Sequence, residues 1–163
     1  MADKLIVIHS DDSITNADYD GYESLSKAVG GLIEHFHDTK VVVEPMLCDG
    51  KEVLPLTMFC NEEFMIDDDP KFDKVNAVAS LISGQEIRGD VAVVVDSGNG
   101  ENRGFQYKEY AEEGGEPEED LCECWAVEDS LMKFANSYRE ELKDLHKKYD
   151  NNKSEPKIEL CQM

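Results

Sequence analysis

The sequence predicts an α+β fold: a small mixed sheet with two short helices, followed by a long C-terminal helix. Three observations carry that class. Runs rich in β-branched residues recur through the first hundred positions, as at residues 4–9 (KLIVIH) and 91–95 (VAVVV). Strands and helices follow one another without the regular alternation of a parallel α/β sheet. Leu131, Ala135, Tyr138, Leu142, Leu145 and Tyr149 then repeat at spacings of four and three, a heptad-type stripe on a helix.

Residues 4–9 form the first strand, and the polar, acidic stretch 10–20 connects it to a helix over residues 21–29. Asp20 is the expected N-cap, and Glu23 three positions later completes a capping box. Tyr22, Leu25 and Val29 share one face, and Gly30-Gly31 stops the helix and lets the chain reverse. Residues 32–36 and 40–47 read as two strands joined by a short polar turn. Asp49-Gly50 is a hairpin signal, with residues 53–60 as the return strand. Pro55 in that strand calls for an edge position or a bulge, because it has no N–H to give a neighbour.

Residues 61–69 are acidic and loop-like. Pro70 suits the first turn of a second helix over 71–82, with Phe72, Val75, Val78, Ala79 and Ile82 as its apolar positions and Gly84 as its stop. The continuous apolar run 91–95 reads as a strand buried on both faces. Residues 96–104 (DSGNGENRG) form a glycine-rich loop, and 105–115 a short helix ending at Gly114-Gly115. Pro117 opens the long helix, which runs to about Asp150, and residues 157–161 are a weak strand candidate in the tail. The chain thus divides into an α+β domain over 1–104, an acidic connecting segment over 105–120, and the long helix and tail over 121–163. The heptad stripe allows two outcomes, packing on the chain's own domain or pairing with the helix of a second copy; it is short for a free-standing coiled coil.

The formal net charge is -21 over 163 residues. Residues 1–130 hold 31 Asp/Glu against 9 Lys/Arg, whereas residues 131–163 hold 6 against 7. Such an excess argues against a direct nucleic-acid partner and for a solvated surface or a basic protein target. No run approaches the roughly 20 apolar residues of a membrane span. The first apolar run is too short and too near Met1 for a signal peptide. The chain therefore reads as cytosolic. Its five cysteines, Cys48, Cys60, Cys122, Cys124 and Cys161, are odd in number and read as free thiols rather than a disulfide framework.

Local motifs mostly resolve into ordinary structure. Residues 16–21 (NADYDG) look like the first half of a calcium loop, but the twelfth position, which requires a bidentate Glu, is Lys27. Gly98, Gly100 and Gly104 miss the dinucleotide spacing by one, and no phosphate-binding lysine accompanies them. Cys122 and Cys124, with His35, His37 or His146, offer zinc ligands only on paper, since residues two apart on a helix do not face each other. A Cys/His nucleophilic pair lacks a recognisable orienting group, and His9 sits at a strand end. Carboxylates are so abundant that no pair stands out as a general acid and base. The sequence thus points to no metal, no cofactor and no catalytic residue. Ten acids and no base fall between Glu109 and Asp129. That segment is either a solvated linker leading into a helix N-terminus or an interaction surface. Its candidate contact residues are Glu109, Glu112, Glu113, Glu116, Glu118, Glu119 and Asp120, together with Asp67, Asp68 and Asp69.

Four stretches also form an ordered set: residues 22–34 (YESLSKAVGGLIE), Asn61-Glu62-Glu63 after a strand, Asn76-Ala77-Val78-Ala79, and residues 87–94 (IRGDVAVV). Their order and spacing resemble a small domain family of bacteriophages and plasmids, known only as a domain of unknown function, number thirty-eight forty-six of its series. The resemblance spans about residues 4–96. It departs from the pattern in a longer insert between Asn61 and Asn76, where the three consecutive aspartates sit. It implies a small α+β domain and a mobile-element origin, and supplies no catalytic residues to carry over.

The leading functional expectation is a non-enzymatic phage or mobile-element protein of the host cytosol. It would bind a host protein with a basic nucleic-acid-binding surface and inhibit or redirect it, in the strongest form by mimicking DNA. A nucleotide-binding sponge or sensor is the alternative, with a pocket between sheet and helices and Arg88 or Arg103 as its source of positive charge. An enzyme of unrecognised type ranks third.

Overall fold

The computed structural model describes residues 3–43, 52–66, 69–98, 100–105 and 123–150. Six strands form one sheet: β1 (Lys4–Ile8), β2 (Ile14–Asp18), β3 (Ile33–Val43), β4 (Glu52–Asn61), β5 (Val91–Gly98) and β6 (Glu101–Arg103). Their order is β2-β1-β5-β4-β3, with β6 added to the far end of β5. Every pairing is antiparallel, which corrects the mixed sheet expected from sequence. Four of the pairings join consecutive strands, and β5 inserts between β1 and β4 running against both. Its residues Val91 to Val95 are all buried, as a doubly flanked apolar run requires.

Two strand expectations change. The polar connection after β1 contains β2, paired from Lys4↔Asp18 to Ile8↔Ile14. Its ITNAD sequence is nearly bare of large apolar residues because an edge strand needs few. The two strands expected at 32–36 and 40–47 are one strand, β3, irregular only between His35 and His37. The polar His37-Asp38-Thr39 that imitates a turn is held straight by Met58, Thr57 and Leu56 opposite. Pro55 pairs with Lys40, one position beyond the last β4–β5 pair, Leu56↔Val95. β4 has a single neighbour there, the edge-like position at which a strand tolerates proline. Asp49-Gly50 lies outside the described residues.

The pleat sends Ile6, Ile8, Met58, Val91 and Val93 to one face and Leu5, Val7, Phe59, Ala92 and Val94 to the other. Helix α1 (Tyr22–Val29) covers the second face with Leu25 and Val29. Each such side chain contributes about 1.5–3 kcal/mol on burial. The cap of α1 differs from expectation: Gly21 occupies the N-cap and no side chain caps it. Ser24 bridges the start instead, its Oγ accepting from the Asp20 N–H at 3.0 Å and donating to the Gly21 carbonyl at 2.7 Å. Tyr22 is 54% exposed and leaves the buried face to Leu25 and Val29. Gly30 ends the helix at φ 79, the left-handed conformation that a side chain would oppose.

The helix expected over 71–82 is two pieces. A single 3-10 turn, Pro70–Phe72, is followed by α2, Ala77–Ser83. Between them Val75 bridges Arg88, which takes that residue out of any helix, and Asn76 caps the new start. The glycine-rich loop is a hairpin turn into β6, and Phe105 is a fully buried residue bridging Lys4 rather than the start of a helix.

The long helix is also two helices, α3 (Glu123–Ser137) and α4 (Arg139–Tyr149), broken at Tyr138 with φ -111 and ψ 29. α3 lies against β1, β2 and β3, whereas α4 packs on α2. Two differently placed surfaces cannot both be met by one straight rod. The stripe residues Leu131 and Leu142 are buried, and Ala135, Leu145 and Tyr149 pack partly buried on the same core. Tyr138, at the break, is 42% exposed. The expected segments at 106–122 and 157–161 lie outside the described residues.

Candidate functional site

A cleft of about 690 Å³ opens between β2 and α1. Val7, Ala17 and Ala28 contribute apolar surface to it, and Asp18, Asp20, Glu23 and Lys27 contribute charge. His9 and Thr15 also line it. A smaller cleft of about 260 Å³ adjoins, sharing Lys27 and Ala28 and including Asp90 and Lys71.

The turn after β1 builds this corner. The His9 N–H donates to the Ser13 carbonyl and the Asp12 N–H to the His9 carbonyl, each at 2.9 Å. Asp12 sits at φ 73, a conformation that Asp tolerates better than most residues. Ser13 is steadied by Asp11, whose Oδ1 accepts its N–H at 2.9 Å. The Ser13 hydroxyl, which donates to the same oxygen, and then this N–H hold the Asp11 carboxyl below its usual range. The tight return places Thr15 beside His9, with Oγ1 2.7 Å from Nε2. Antiparallel pairing of Ile8 with Val91 brings the preceding residue, Asp90, to the same place. His9 Nδ1 stands 3.0 Å from Asp90 Oδ2. A carboxylate there selects the tautomer with the proton on Nδ1 and leaves the Nε2 lone pair facing the threonine hydroxyl. His9 and Thr15 from one tight turn, and Asp90 from a distant part of the chain, thus form a hydroxyl–imidazole–carboxylate line beside an open cleft.

A second histidine network closes the other face. His146 of α4 stands with Nε2 3.0 Å from Asp12 Oδ1 and Nδ1 3.0 Å from Asp150 Oδ2. The other Asp150 oxygen accepts the Val75 N–H at 2.9 Å. Burial works against the imidazolium, but the two carboxylates outweigh it and raise the His146 pKa above its ordinary value. Nearby, Arg88 is fully buried and spends its guanidinium on its own chain. It meets Glu86 at 2.7 Å and donates to the Phe72, Asp73 and Tyr149 carbonyls at 3.2, 3.0 and 2.7 Å. It is therefore a clamp between α4, the 3-10 turn and β5, not the free positive charge a nucleotide pocket would need. Arg103 donates to the Gly104 carbonyl at 3.0 Å.

Other sequence candidates have plain structural roles or fall outside view. Glu109, Glu112, Glu113, Glu116, Glu118, Glu119 and Asp120, with Asp67 and Asp68, lie outside the described residues. Asp69 caps the 3-10 turn, accepting the Lys71 N–H at 3.0 Å. Asn16 and Asp18 of the calcium-like motif sit on β2, engaged with Glu128 at 3.0 Å and Lys4 at 2.6 Å. Cys60 is buried, and that burial, with Glu34 nearby, pushes its thiol up to about 12, so it stays protonated. Cys124 is buried with Sγ 3.7 Å from Glu128 Oε1. His35 pairs with Asp38 at 2.8 Å. No cluster of three or more metal-ligating side chains occurs among the described residues.

A groove of about 480 Å³ lies between the β3–β4 edge and helices α2 and α3, with Leu56, Leu81, Phe134 and Tyr138 among its lining residues and Lys40 as its one basic side chain among those described. No helix among the described residues is long and apolar enough to cross a membrane. Compared with protein-family models, curated proteins and solved structures, the chain matches none.

Proposed function

We propose that this protein is an acidic binding protein of a bacteriophage or related mobile element, acting in the host cytosol on a host protein that it inhibits or redirects. The observation that carries the reading is the charge distribution: 31 Asp/Glu against 9 Lys/Arg over residues 1–130. Carboxylates spaced like phosphates compete for a basic groove by the same counterion release that nucleic acid uses, with the roles of the signs exchanged. The natural target is therefore a host protein with a basic nucleic-acid-binding surface, and binding itself needs no chemistry. The mobile-element origin rests on the resemblance over residues 4–96. The balanced charge of the last helices suits packing, or pairing with a second copy, better than this contact.

The test is capture of partners from host lysate across a salt series, identified by mass spectrometry, with added DNA as competitor. A basic nucleic-acid-binding protein should be retained at low salt and released by salt or by DNA. Charge reversal at Glu112, Glu113, Glu116, Glu118 and Glu119 should weaken retention. Binding that survives high salt unchanged overturns the electrostatic reading.

A second reading is favoured by the groove between β3, β4, α2 and α3, which lies between sheet and helices as a small-molecule site would. Its lining suits an apolar ligand better than a nucleotide, because Arg88 is committed elsewhere. A thermal-shift screen with nucleotides and apolar metabolites decides this reading: no shift with either set removes it.

A further inference from the structure

We propose that Thr15, His9 and Asp90 act as nucleophile, base and positioning residue, and that the β2–α1 cleft takes an acyl group from an ester carrying a cationic side chain. The inference stands apart from the binding reading and adds chemistry to a different part of the molecule.

A threonine hydroxyl is a weak nucleophile until a base removes its proton, and the base must present a lone pair to it. Both conditions are met here. Thr15 Oγ1 is 2.7 Å from His9 Nε2, within reach of direct proton transfer. Asp90 Oδ2, 3.0 Å from Nδ1, fixes the productive tautomer and faces the positive charge that forms on the ring. Asp90 is itself steadied, its Oδ1 accepting the Ser10 N–H at 3.4 Å. The line is reachable: Thr15 is exposed, and the His9 side chain keeps 29% of its surface. Both residues line a cleft large enough for a small acyl ester. A hydrogen bond that merely joined the two strands would call for neither the carboxylate behind the imidazole nor the cleft in front of the hydroxyl.

The cleft also sets a preference. Asp20 and Glu23 line it and favour a cationic substrate group, beside Asp18, whose charge is partly met by Lys4. Lys27 is its one lysine or arginine among the described residues and is the available charge for the oxyanion. In the reaction, Thr15 Oγ1 forms a bond to the ester carbonyl carbon while its proton passes to His9 Nε2. The bond from that carbon to the leaving oxygen then breaks, and His9 returns the proton to the departing alcohol. A water molecule, deprotonated by His9 in turn, attacks the acyl-threonine and releases the acid and free Thr15.

The experiment uses the full chain and p-nitrophenyl esters of Nα-blocked lysine and of its glutamate counterpart. The lysine ester should release nitrophenol faster, and mass mapping should find its acyl group on the Thr15 peptide. His9→Gln should slow acylation about 100-fold or more. Thr15→Val should abolish the adduct, and Thr15→Ser should retain it. Asp90→Asn should lower kcat while leaving KM nearly unchanged, and Asp90→Glu should recover part of the lost rate; a merely structural role would lower the melting temperature without that split. Neutralising Asp18, Asp20 and Glu23 together should erase the lysine preference but keep the adduct. All these positions are partly or fully exposed, and matching thermal melts verify the fold. Absence of acyl-Thr15, or an unchanged rate in Thr15→Val, overturns the proposal.

Discussion

Asn76 is fully buried, yet it leaves none of its polar atoms idle. Its Nδ2 donates to the carbonyls of Ile8 and Gly89, each at 2.8 Å. Its Oδ1 accepts the Ala79 N–H at 3.1 Å and caps α2, and its backbone N–H donates to the Ile87 carbonyl at 2.7 Å. One side chain thereby ties β1, α2 and the turn before β5. That turn is tight, because Gly89 sits at φ +79 and any Cβ there would stand 2.7 Å from the Phe72 ring. Replacing Asn76 by Ala strips two buried carbonyls of their donors and removes the cap. Urea unfolding should show a loss of about 2–4 kcal/mol, the sum of a helix cap and orphaned buried acceptors. A loss under about 0.5 kcal/mol, the level of a neutral surface change, would contradict this account. Asn61 is a smaller version, with Nδ2 on the Val29 carbonyl at 3.3 Å and Oδ1 accepting the Glu63 N–H at 2.8 Å. Two asparagines on which the sequence resemblance rests thus act as structural joints.

At the scale of elements, α4 is held by polar contacts at its C-terminal end as well as by Leu142. His146 bridges to the β1–β2 turn through Asp12, and Asp150 reaches Val75. The groups facing this imidazole are Asp12 from the turn and Asp150 from its own helix, with Arg88 donating to the adjacent Tyr149 carbonyl. Because the folded pKa of His146 lies above its ordinary 6.5, its contribution is full below that pH. It is lost as pH rises through the folded value. Thermal stability should therefore decline from pH 6.5 upward, and His146→Asn should flatten that decline. A slope identical in both proteins would show that the bridge contributes nothing. The break between α3 and α4 has a similar origin. Both halves carry the 4-3 stripe, but one meets the sheet and the other meets α2, and Tyr138 absorbs the change of direction.

For the whole molecule, the net charge of -21 opposes compaction. Several of the acids are engaged locally: Asp18 by Lys4, Glu86 by Arg88, Asp129 by Lys133. The Asp18 and Asp129 pairs are exposed and add little, whereas Glu86 meets a fully buried Arg88. The remaining repulsion is long-ranged and is screened once the Debye length falls to about 10 Å at 0.1 M salt. Adding sodium chloride from low ionic strength should raise the melting temperature, steeply at first and then to a plateau. A melting temperature that falls over that range would mean that specific ion pairs outweigh the general repulsion.

What could be read from the chain alone was whatever depends on near neighbours. The buried run 91–95, the helix over Tyr22–Val29 with its glycine stop, the position of Pro70 and the apolar stripe of the last helices all rest on local period and local backbone preference. The charge division is likewise a property of composition, whatever the fold. The tertiary structure decided the rest. β2 and the middle of β3 are polar segments made into strands by their partners. The 71–82 helix is split because Val75 is drawn to Arg88, and the long helix bends because it must meet two surfaces. The His9–Thr15–Asp90 line was invisible for the same reason: Asp90 lies 81 residues from His9 in sequence, and only the antiparallel pairing of β1 with β5 puts its carboxylate behind the imidazole.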